Sequence, residues 1–79
     1  MITIEQLTEL GFTLDAPRVH EEEFSYDMRT LTINDSYIGE TSEYDTKGNF
    51  TKQYFDLNDR TLEGRTLTIA DIKLLKEIL

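Results

Sequence analysis

The chain has 79 residues, which is enough for one small hydrophobic core and too few for two domains. It contains no cysteine, so a disulfide scaffold and a cysteine-ligated zinc site are excluded. Its net charge is −8, and residues 1–45 hold 11 acidic and 2 basic side chains, so direct binding to nucleic-acid phosphates is not expected. This charge favours a basic protein partner instead.

The sequence shows no sign of a membrane segment. The first ten residues, MITIEQLTEL, do not combine a basic stretch with an apolar one, as a signal peptide does. No apolar run approaches the ~20 residues that a transmembrane helix needs. We therefore predict a soluble, cytoplasmic protein without membrane contact, folded as a single α+β domain over residues 1–79.

The segment TIEQLTEL predicts a short N-terminal helix that starts after Thr3. Thr3 can cap the first turn, and Gln6, three residues later, can reach back to the Thr3 amide. Ile2 and Leu7 have the spacing of a hydrophobic staple across this helix start. Gly11 is expected to end the helix in the left-handed conformation.

Residues 11–23 predict a loop with a short extended piece at residues 12–14, because they hold the one proline and three consecutive glutamates. His20 directly precedes these glutamates, and imidazole and carboxylates together can bind zinc or manganese. Consecutive residues point in different directions, however, and the chain has no second histidine. We predict a charged loop, with no metal and no cofactor.

Three segments in the middle of the chain carry β signals: FSYDMRTLTI, SYIGETSEY and FTKQYFDL. Between them lie a two-residue turn at residues 34–35 and the turn DTKGN, in which Gly48 is expected to be left-handed. These signals predict an antiparallel meander. The expected pairings are Ile33 with Ser36, Leu31 with Ile38 and Arg29 with Glu40, then Asp45 with Asn49, Tyr44 with Phe50, Glu40 with Tyr54 and Gly39 with Phe55.

With these pairings, both faces of the sheet are partly apolar, although an antiparallel sheet usually has one apolar and one polar face. One face collects Leu31, Ile33, Ile38, Tyr44, Phe50 and Tyr54; the other collects Phe24, Tyr26, Met28, Tyr37, Phe55 and Leu57. The helices can cover parts of both faces, one face can stay open for a partner, or a bulge can invert the register. We favour helices on one face and a second face that is tyrosine-rich and partly exposed.

The segment TIADIKLL predicts a second capped helix, which starts after Thr68 and follows a turn at LEGR, residues 62–65. Its apolar stripe, which must be buried, consists of Ile69, Ile72, Leu75 and Leu79. The predicted fold is therefore α+β: a short N-terminal helix, a three- to four-stranded antiparallel meander, and a C-terminal helix packed on the sheet.

The sequence holds no arrangement typical of an enzyme. There is no cysteine nucleophile and no glycine-rich phosphate loop, and the single histidine lies in an acidic loop. We predict a non-enzymatic interaction protein, an accessory or inhibitor that docks on a basic, nucleic-acid-binding protein with carboxylates in place of phosphates. The predicted acidic face comprises Glu21, Glu22, Glu23, Asp27, Asp35, Glu40, Glu43 and Asp45.

Three alternatives stay open. The first is a structural module that forms a homodimer through an aromatic sheet face made of Tyr44, Phe50 and Tyr54. The second is an enzyme or metal protein, which would need His20 to take part. The third is that the acidic residues serve solubility alone.

The second half of the chain carries a recurring set of short pairs. They are Tyr44-Asp45, Gly48-Asn49, Gln53-Tyr54, Leu57-Asn58, then Leu62, Gly64-Arg65, Leu67-Thr68, Asp71-Ile72 and Leu75. This pattern resembles small uncharacterised proteins encoded in prophages and other mobile elements of Bacteroidetes, which end in a hairpin followed by an L-x-G-R-x-L-T-x-x-D-L helix entry. The resemblance covers nearly half of the chain. It implies a phage or mobile-element context and a small accessory role, and it brings no catalytic residues.

Overall fold

The structure is a computed structural model that describes residues 1–62 and 66–79. In chain order the elements are α1 (Ile4–Leu10), β1 (Thr13–Leu14), β2 (Val19–His20), β3 (Ser25–Ile33), β4 (Ser36–Tyr44), β5 (Phe50–Leu57), β6 (Arg60–Thr61) and α2 (Ile69–Ile78). Gly64 and Arg65, which belong to the predicted turn and to the helix-entry motif, lie outside the described residues. The predicted α+β class is confirmed: one helix precedes the strands of an antiparallel sheet in the sequence, and one follows them.

Both helices begin at the threonines predicted to cap them. Thr3 Oγ1 accepts a hydrogen bond from the Gln6 backbone N–H at 3.1 Å, and the Gln6 side chain accepts one from the Thr3 N–H at 3.0 Å. Thr68 and Asp71 form the same reciprocal pair at 3.1 and 2.9 Å. Gly11 ends α1 with a φ of 104°, in the predicted left-handed conformation. Local sequence alone therefore sets where each helix starts, because the caps satisfy donors that the first turn leaves unpaired.

The described residues form a sheet of six strands, more than the three or four predicted, in the order β1-β3-β4-β5-β6 with β2 also paired to β3. The central part, β3-β4-β5, is the predicted antiparallel meander. β1 lies within the extended piece predicted at residues 12–14. β2 and β6 were not predicted, because strands of two residues are too short to show the alternation from which strands are recognised. Asn58 and Asp59, with φ values of 49° and 66°, turn the chain so that β6 pairs with the end of β5.

The β3–β4 hairpin has the predicted register. Ile33 opposes Ser36, and the pairs Leu31 with Ile38 and Arg29 with Glu40 follow from it along the ladder. Asn34 sits in the turn with a φ of 53°, which an asparagine tolerates better than most residues. A tight turn thus fixes every cross-strand pair of this hairpin.

The β4–β5 ladder contains a bulge that changes the register predicted for it. Tyr44 opposes Phe50 as predicted, but Glu43 opposes Lys52, so Thr51 has no partner across the ladder. Thr51 instead donates its hydroxyl to the Glu43 carbonyl at 3.1 Å. Beyond the bulge the strand is shifted by one residue. The predicted pairs Glu40 with Tyr54 and Gly39 with Phe55 are therefore wrong: Glu40 opposes Phe55, and Gly39 opposes Asp56.

The bulge puts the apolar side chains of β5 where they can be buried. Phe55, which is 0% exposed, and Leu57 share a face with Ile38, whereas Tyr54 points to the opposite face. Both helices contribute to the core on the first of these faces, which is made of Ile2, Leu7, Leu10, Phe12, Leu31, Ile33, Ile38, Phe55 and Ile72. The register inversion thus explains why the predicted pairing left both faces partly apolar, and the opposite face remains tyrosine-bearing and partly exposed.

Candidate interaction face

The sheet face opposite the two helices, which we call the open face, carries a trough along β4. Cross-strand partners lie on the same face, so the register defines its rows. These rows, across β3, β4 and β5, are Tyr26–Glu43–Lys52, Met28–Thr41–Tyr54 and Thr30–Gly39–Asp56. The central positions of the last two rows, Thr41 and Gly39, are smaller than their neighbours on both sides. The floor of the trough is therefore β4, and its walls are the longer side chains of β3 and β5.

The walls of the trough are aromatic and thioether side chains that remain accessible. Met28 is 48% exposed and Tyr54 40% exposed on opposite sides of Thr41. The rings of Phe24 and Tyr26 stack with centroids 6.0 Å apart and planes 28° from parallel. Together with neighbouring carboxylates they line a cavity of about 390 Å³. Aromatic residues and methionine are the types enriched where proteins bind one another, because they offer large contact area and adaptable packing.

Asp56 lies in the trough at the end nearest the β5–β6 turn. Its carboxylate sits directly over Gly39, at a place that a Cβ atom on residue 39 would overlap. It also accepts a hydrogen bond from the backbone N–H of Asp59. Burial raises the pKa of Asp56, and the nearby charges of Asp59 and Asp15 raise it further, against the lowering effect of that hydrogen bond. The ionised carboxylate is therefore held where burial and like charges both oppose it.

Asp59 is fixed in place by Tyr37 and Asn58. The Tyr37 hydroxyl donates to the Asp59 carboxylate, which is the largest cause raising the pKa of Tyr37 to about 12. The Tyr37 N–H donates to Asn58 Oδ1 at 2.9 Å, and the Asn58 N–H donates to the Tyr37 carbonyl at 3.0 Å. Asp15, which accepts from the Thr30 hydroxyl at 3.0 Å, completes the acidic end of the trough around a second cavity of about 140 Å³.

The other end of the trough already holds an ammonium group. Lys52 Nζ lies 3.5 Å from Glu43 Oε2 and 5.6 Å from the centroid of the Tyr54 ring. Burial, followed by a hydrogen bond to Glu43, raises the pKa of Tyr54, so its hydroxyl stays protonated and donates to that carboxylate. Aromatic and acidic groups of the open face thus act together on a cation.

The eight residues of the predicted acidic face do not share one surface. Asp27 and Glu40 point toward the helix-covered side and are 6% and 1% exposed. Asp35 and Asp45 lie in turns at opposite ends of β4. Glu43 is on the open face, while the exposed Glu21, Glu22 and Glu23 follow β2.

Asp27 and Glu40 belong to a buried network that neutralises them. Arg18 donates two hydrogen bonds of 2.9 Å to the Asp27 carboxylate. This hydrogen bonding is the main reason why the pKa of Asp27 is lowered. Arg29 joins the two carboxylates, at 3.4 Å from Asp27 and 3.2 Å from Glu40, which confirms the predicted Arg29–Glu40 pair. Glu40 accepts further hydrogen bonds, which come from the side chains of Ser42 and Gln53. These carboxylates are unavailable to a partner.

The bulge also separates the three residues of the predicted aromatic face. Tyr44 and Phe50 meet edge to face, with ring centroids 6.2 Å apart, on the same side of the sheet as the helices. Tyr54 lies on the open face, so the prediction of one shared face is wrong for this residue. Sequence reasoning also missed Asp56 and Asp59, although Asn58 followed by an aspartate after a strand is a common signal for a tight turn.

The structure adds two observations about other kinds of site. Within residues 1–62 and 66–79, no group of three or more histidine, cysteine, aspartate or glutamate side chains is arranged to hold a metal ion. In the same residues, no helix has the length and apolar character needed to cross a membrane. His20 lies exposed on β2, next to the glutamates that follow it.

Comparison of the chain with protein-family models, with curated proteins and with solved structures finds no match. The resemblance to prophage and mobile-element proteins of Bacteroidetes therefore stays a prediction.

Proposed function

We propose that this protein is a non-enzymatic binding domain that docks its open face onto a basic protein. The observation that carries the proposal is the trough itself: accessible aromatic and methionine walls with carboxylates within the same cavity. The apolar walls supply contact area that is released from water on binding, and the carboxylates select the charge of the partner.

Charge complementarity favours a basic partner. Within residues 1–62 and 66–79, no lysine or arginine nitrogen forms an ion pair with Asp15, Asp56 or Asp59. These three carboxylates at one end of the trough therefore present negative charge that no described cation pairs with. A nucleic acid would be repelled by this charge, whereas lysine and arginine side chains would be attracted.

Among basic partners, a nucleic-acid-binding protein is the class to test first, because such proteins concentrate lysine and arginine on one face. The protein would then act as an accessory or inhibitor that covers this basic face. A cytoplasmic setting and a mobile-element origin belong to the same proposal. Their support is the cysteine-free sequence and the resemblance of the C-terminal half.

A homodimer through the open face is the competing proposal, supported by the accessible aromatic residues alone. Two copies meeting there would place Asp56 and Asp59 of both chains in one interface, and each chain carries a net charge of −8. Like charges placed opposite one another oppose association. We therefore favour a partner of opposite charge.

The test is a titration of ¹⁵N-labelled protein with an eight-residue peptide of alternating lysine and leucine, followed by amide chemical shifts. We expect the shifts to concentrate on the rows that contain Met28, Thr41 and Tyr54, and to weaken when the salt concentration rises from about 50 to 500 mM, because exposed charges are screened. A glutamate-leucine peptide of the same length is the matched control and should leave these amides unchanged.

Two variants make the result specific to the face. Met28→Ala should weaken binding of the lysine-leucine peptide, since it removes one wall of the trough. Leu74→Ala, on the exposed side of α2, should leave this binding unchanged. If the shifts instead concentrate around Glu21, Glu22 and Glu23, or if both variants bind equally, the open face is not the docking surface and the proposal fails.

A further inference from the structure

We propose that the partner is anchored by an arginine side chain, whose guanidinium stacks on the Tyr54 ring and donates hydrogen bonds to the carboxylates of Asp56 and Asp59. This inference rests on the proposed function, and it names the group that the trough recognises. It is carried by the geometry of the open face and by an arrangement of the same groups elsewhere in this protein.

The internal arrangement is formed by Arg18, Tyr44 and Asp27. The Arg18 guanidinium carbon lies 3.8 Å from the centroid of the Tyr44 ring, while its nitrogens donate to both oxygens of Asp27 at 2.9 Å. A planar guanidinium can do both at once, because its faces stack and its edges donate. The helix-covered side of the sheet thus contains a complete set of arginine, tyrosine and carboxylate.

The open face contains the tyrosine and the carboxylates of such a set. Tyr54 lies between Lys52 and Asp56 at alternate positions of β5, and all three point into the open face. On the Lys52 side, the ammonium is already paired with Glu43. On the Asp56 side, the described part of the chain supplies no cation to the carboxylates.

Arg60 is near in sequence but does not fill this position. It pairs with Leu57 across the β5–β6 ladder, which places it on the helix-covered side, whereas Thr61 opposes Asp56 on the open face. Among the described residues, no cation is therefore paired with Asp56 or Asp59, and in this proposal the binding partner supplies one.

Arginine fits the trough better than lysine for two reasons. The two carboxylates lie beside an accessible ring, so a planar group with several donors can contact the ring and both acids together, whereas an ammonium is a compact point charge. The cavity of about 390 Å³ that includes Tyr54, Asp56 and Asp59 is also lined by Met28 and Thr41. These side chains can pack against the aliphatic stem of an arginine.

The test uses four peptides, Ac-Gly-Ser-Leu-X-Leu-Ser-Gly-NH₂, in which X is arginine, lysine, citrulline or leucine. Dissociation constants come from amide shifts of the intact protein on titration. Citrulline has nearly the shape of arginine without its charge, so we expect the arginine peptide to bind at least about fivefold more tightly than the citrulline peptide. We also expect it to bind more tightly than the lysine peptide.

Two pairs of variants separate the ring from the acids. Tyr54→Phe keeps the ring face and should retain the preference for arginine over citrulline, whereas Tyr54→Leu keeps apolar bulk and should reduce it. Asp56→Asn should reduce the same preference, while Leu74→Ala on α2 should leave it unchanged. Retention of the full preference in Tyr54→Leu and in Asp56→Asn would overturn the anchor.

Failure of the inference is distinct from failure of the proposed function. If the arginine and lysine peptides bind with equal affinity, and both bind more tightly than the citrulline and leucine peptides, the basic partner stands but the arginine anchor is wrong. Equal affinity of all four peptides would overturn both the anchor and the selection for a basic partner. A lysine peptide that binds more tightly than the arginine peptide also overturns the anchor. If no peptide, including the lysine-leucine octapeptide, shifts the open face, both proposals fail.

Discussion

Asp56 is a residue at which stability and binding are expected to oppose one another. Its pKa is raised by burial first and then by the charges of Asp59 and Asp15, so the folded protein favours its protonated form more than the unfolded chain does. The ionised group therefore destabilises the fold above its folded pKa. This penalty disappears as the pH falls below the ordinary value of 3.8, because the group is then protonated in both states.

We expect Asp56→Asn to unfold at a higher urea concentration than the natural protein at pH 7. The gain in the free energy of unfolding should be roughly 0.5 kcal/mol, the usual size of an exposed charge contact. The gain should shrink toward pH 3.5, and asparagine keeps an acceptor for the Asp59 N–H. Glu22→Gln in the exposed acidic loop removes the same charge and is the control for general repulsion. An equal gain in both variants, or a gain that persists at pH 3.5, would show that the environment of Asp56 is not the cause.

At the scale of single elements, Thr51 is the extra residue of the bulge, and its removal is expected to be tolerated. Deleting it leaves Tyr44 opposite Phe50 and Glu43 opposite Lys52, so Phe55 stays on the buried face. Deleting Thr32 is the matched control, because it is an exposed threonine in the regular β3–β4 ladder. That deletion must invert part of β3 and expose core residues.

We expect the Thr51 deletion to unfold cooperatively in urea with a loss of about 1 kcal/mol or less, in line with a surface change, and the Thr32 deletion to abolish cooperative unfolding. Near-ultraviolet circular dichroism reports on the buried aromatic environment in both. Should the Thr51 deletion also fail to fold, the local twist that the bulge creates is required for packing, in addition to the register.

The same hairpins show how far the sequence alone predicts the elements. The β3–β4 register is local information, because a two-residue turn containing Asn34 aligns both strands. The bulge at Thr51 has no local sequence signal, since the ladders with and without the bulge both place Tyr44 opposite Phe50. The choice between them depends on burying Phe55 against helices elsewhere in the chain. The acidic set was mispredicted for the same reason: the sequence does not reveal that Arg18 is folded onto Asp27. Register beyond a bulge and the partners of buried charges are tertiary properties.

For the whole molecule, most of the excess negative charge remains after the internal ion pairs are counted. Residues 1–45 contain two basic residues, Arg18 and Arg29, and both form ion pairs with the buried carboxylates of Asp27 and Glu40. That segment has 11 acidic side chains, so nine are left without a basic residue of the same segment to balance them. Lys76 donates to the Leu10 carbonyl at 2.9 Å on the helix side, and Lys52 on the open face is paired with Glu43. The carboxylates of Asp15, Asp56 and Asp59 at the other end of the trough have no ion pair among the described residues.

This distribution predicts a monomer in solution. Light scattering behind size exclusion should give the mass of one chain, 9.2 kDa, at both about 50 and 500 mM salt, because the apolar walls of the trough are accompanied by like charges that oppose self-association. A dimer that resists salt and is broken by Tyr54→Asp would assign the open face to self-association, against the proposed function. A dimer broken instead by Leu74→Asp would place the contact on the exposed apolar side of α2, which leaves the trough free for a basic partner.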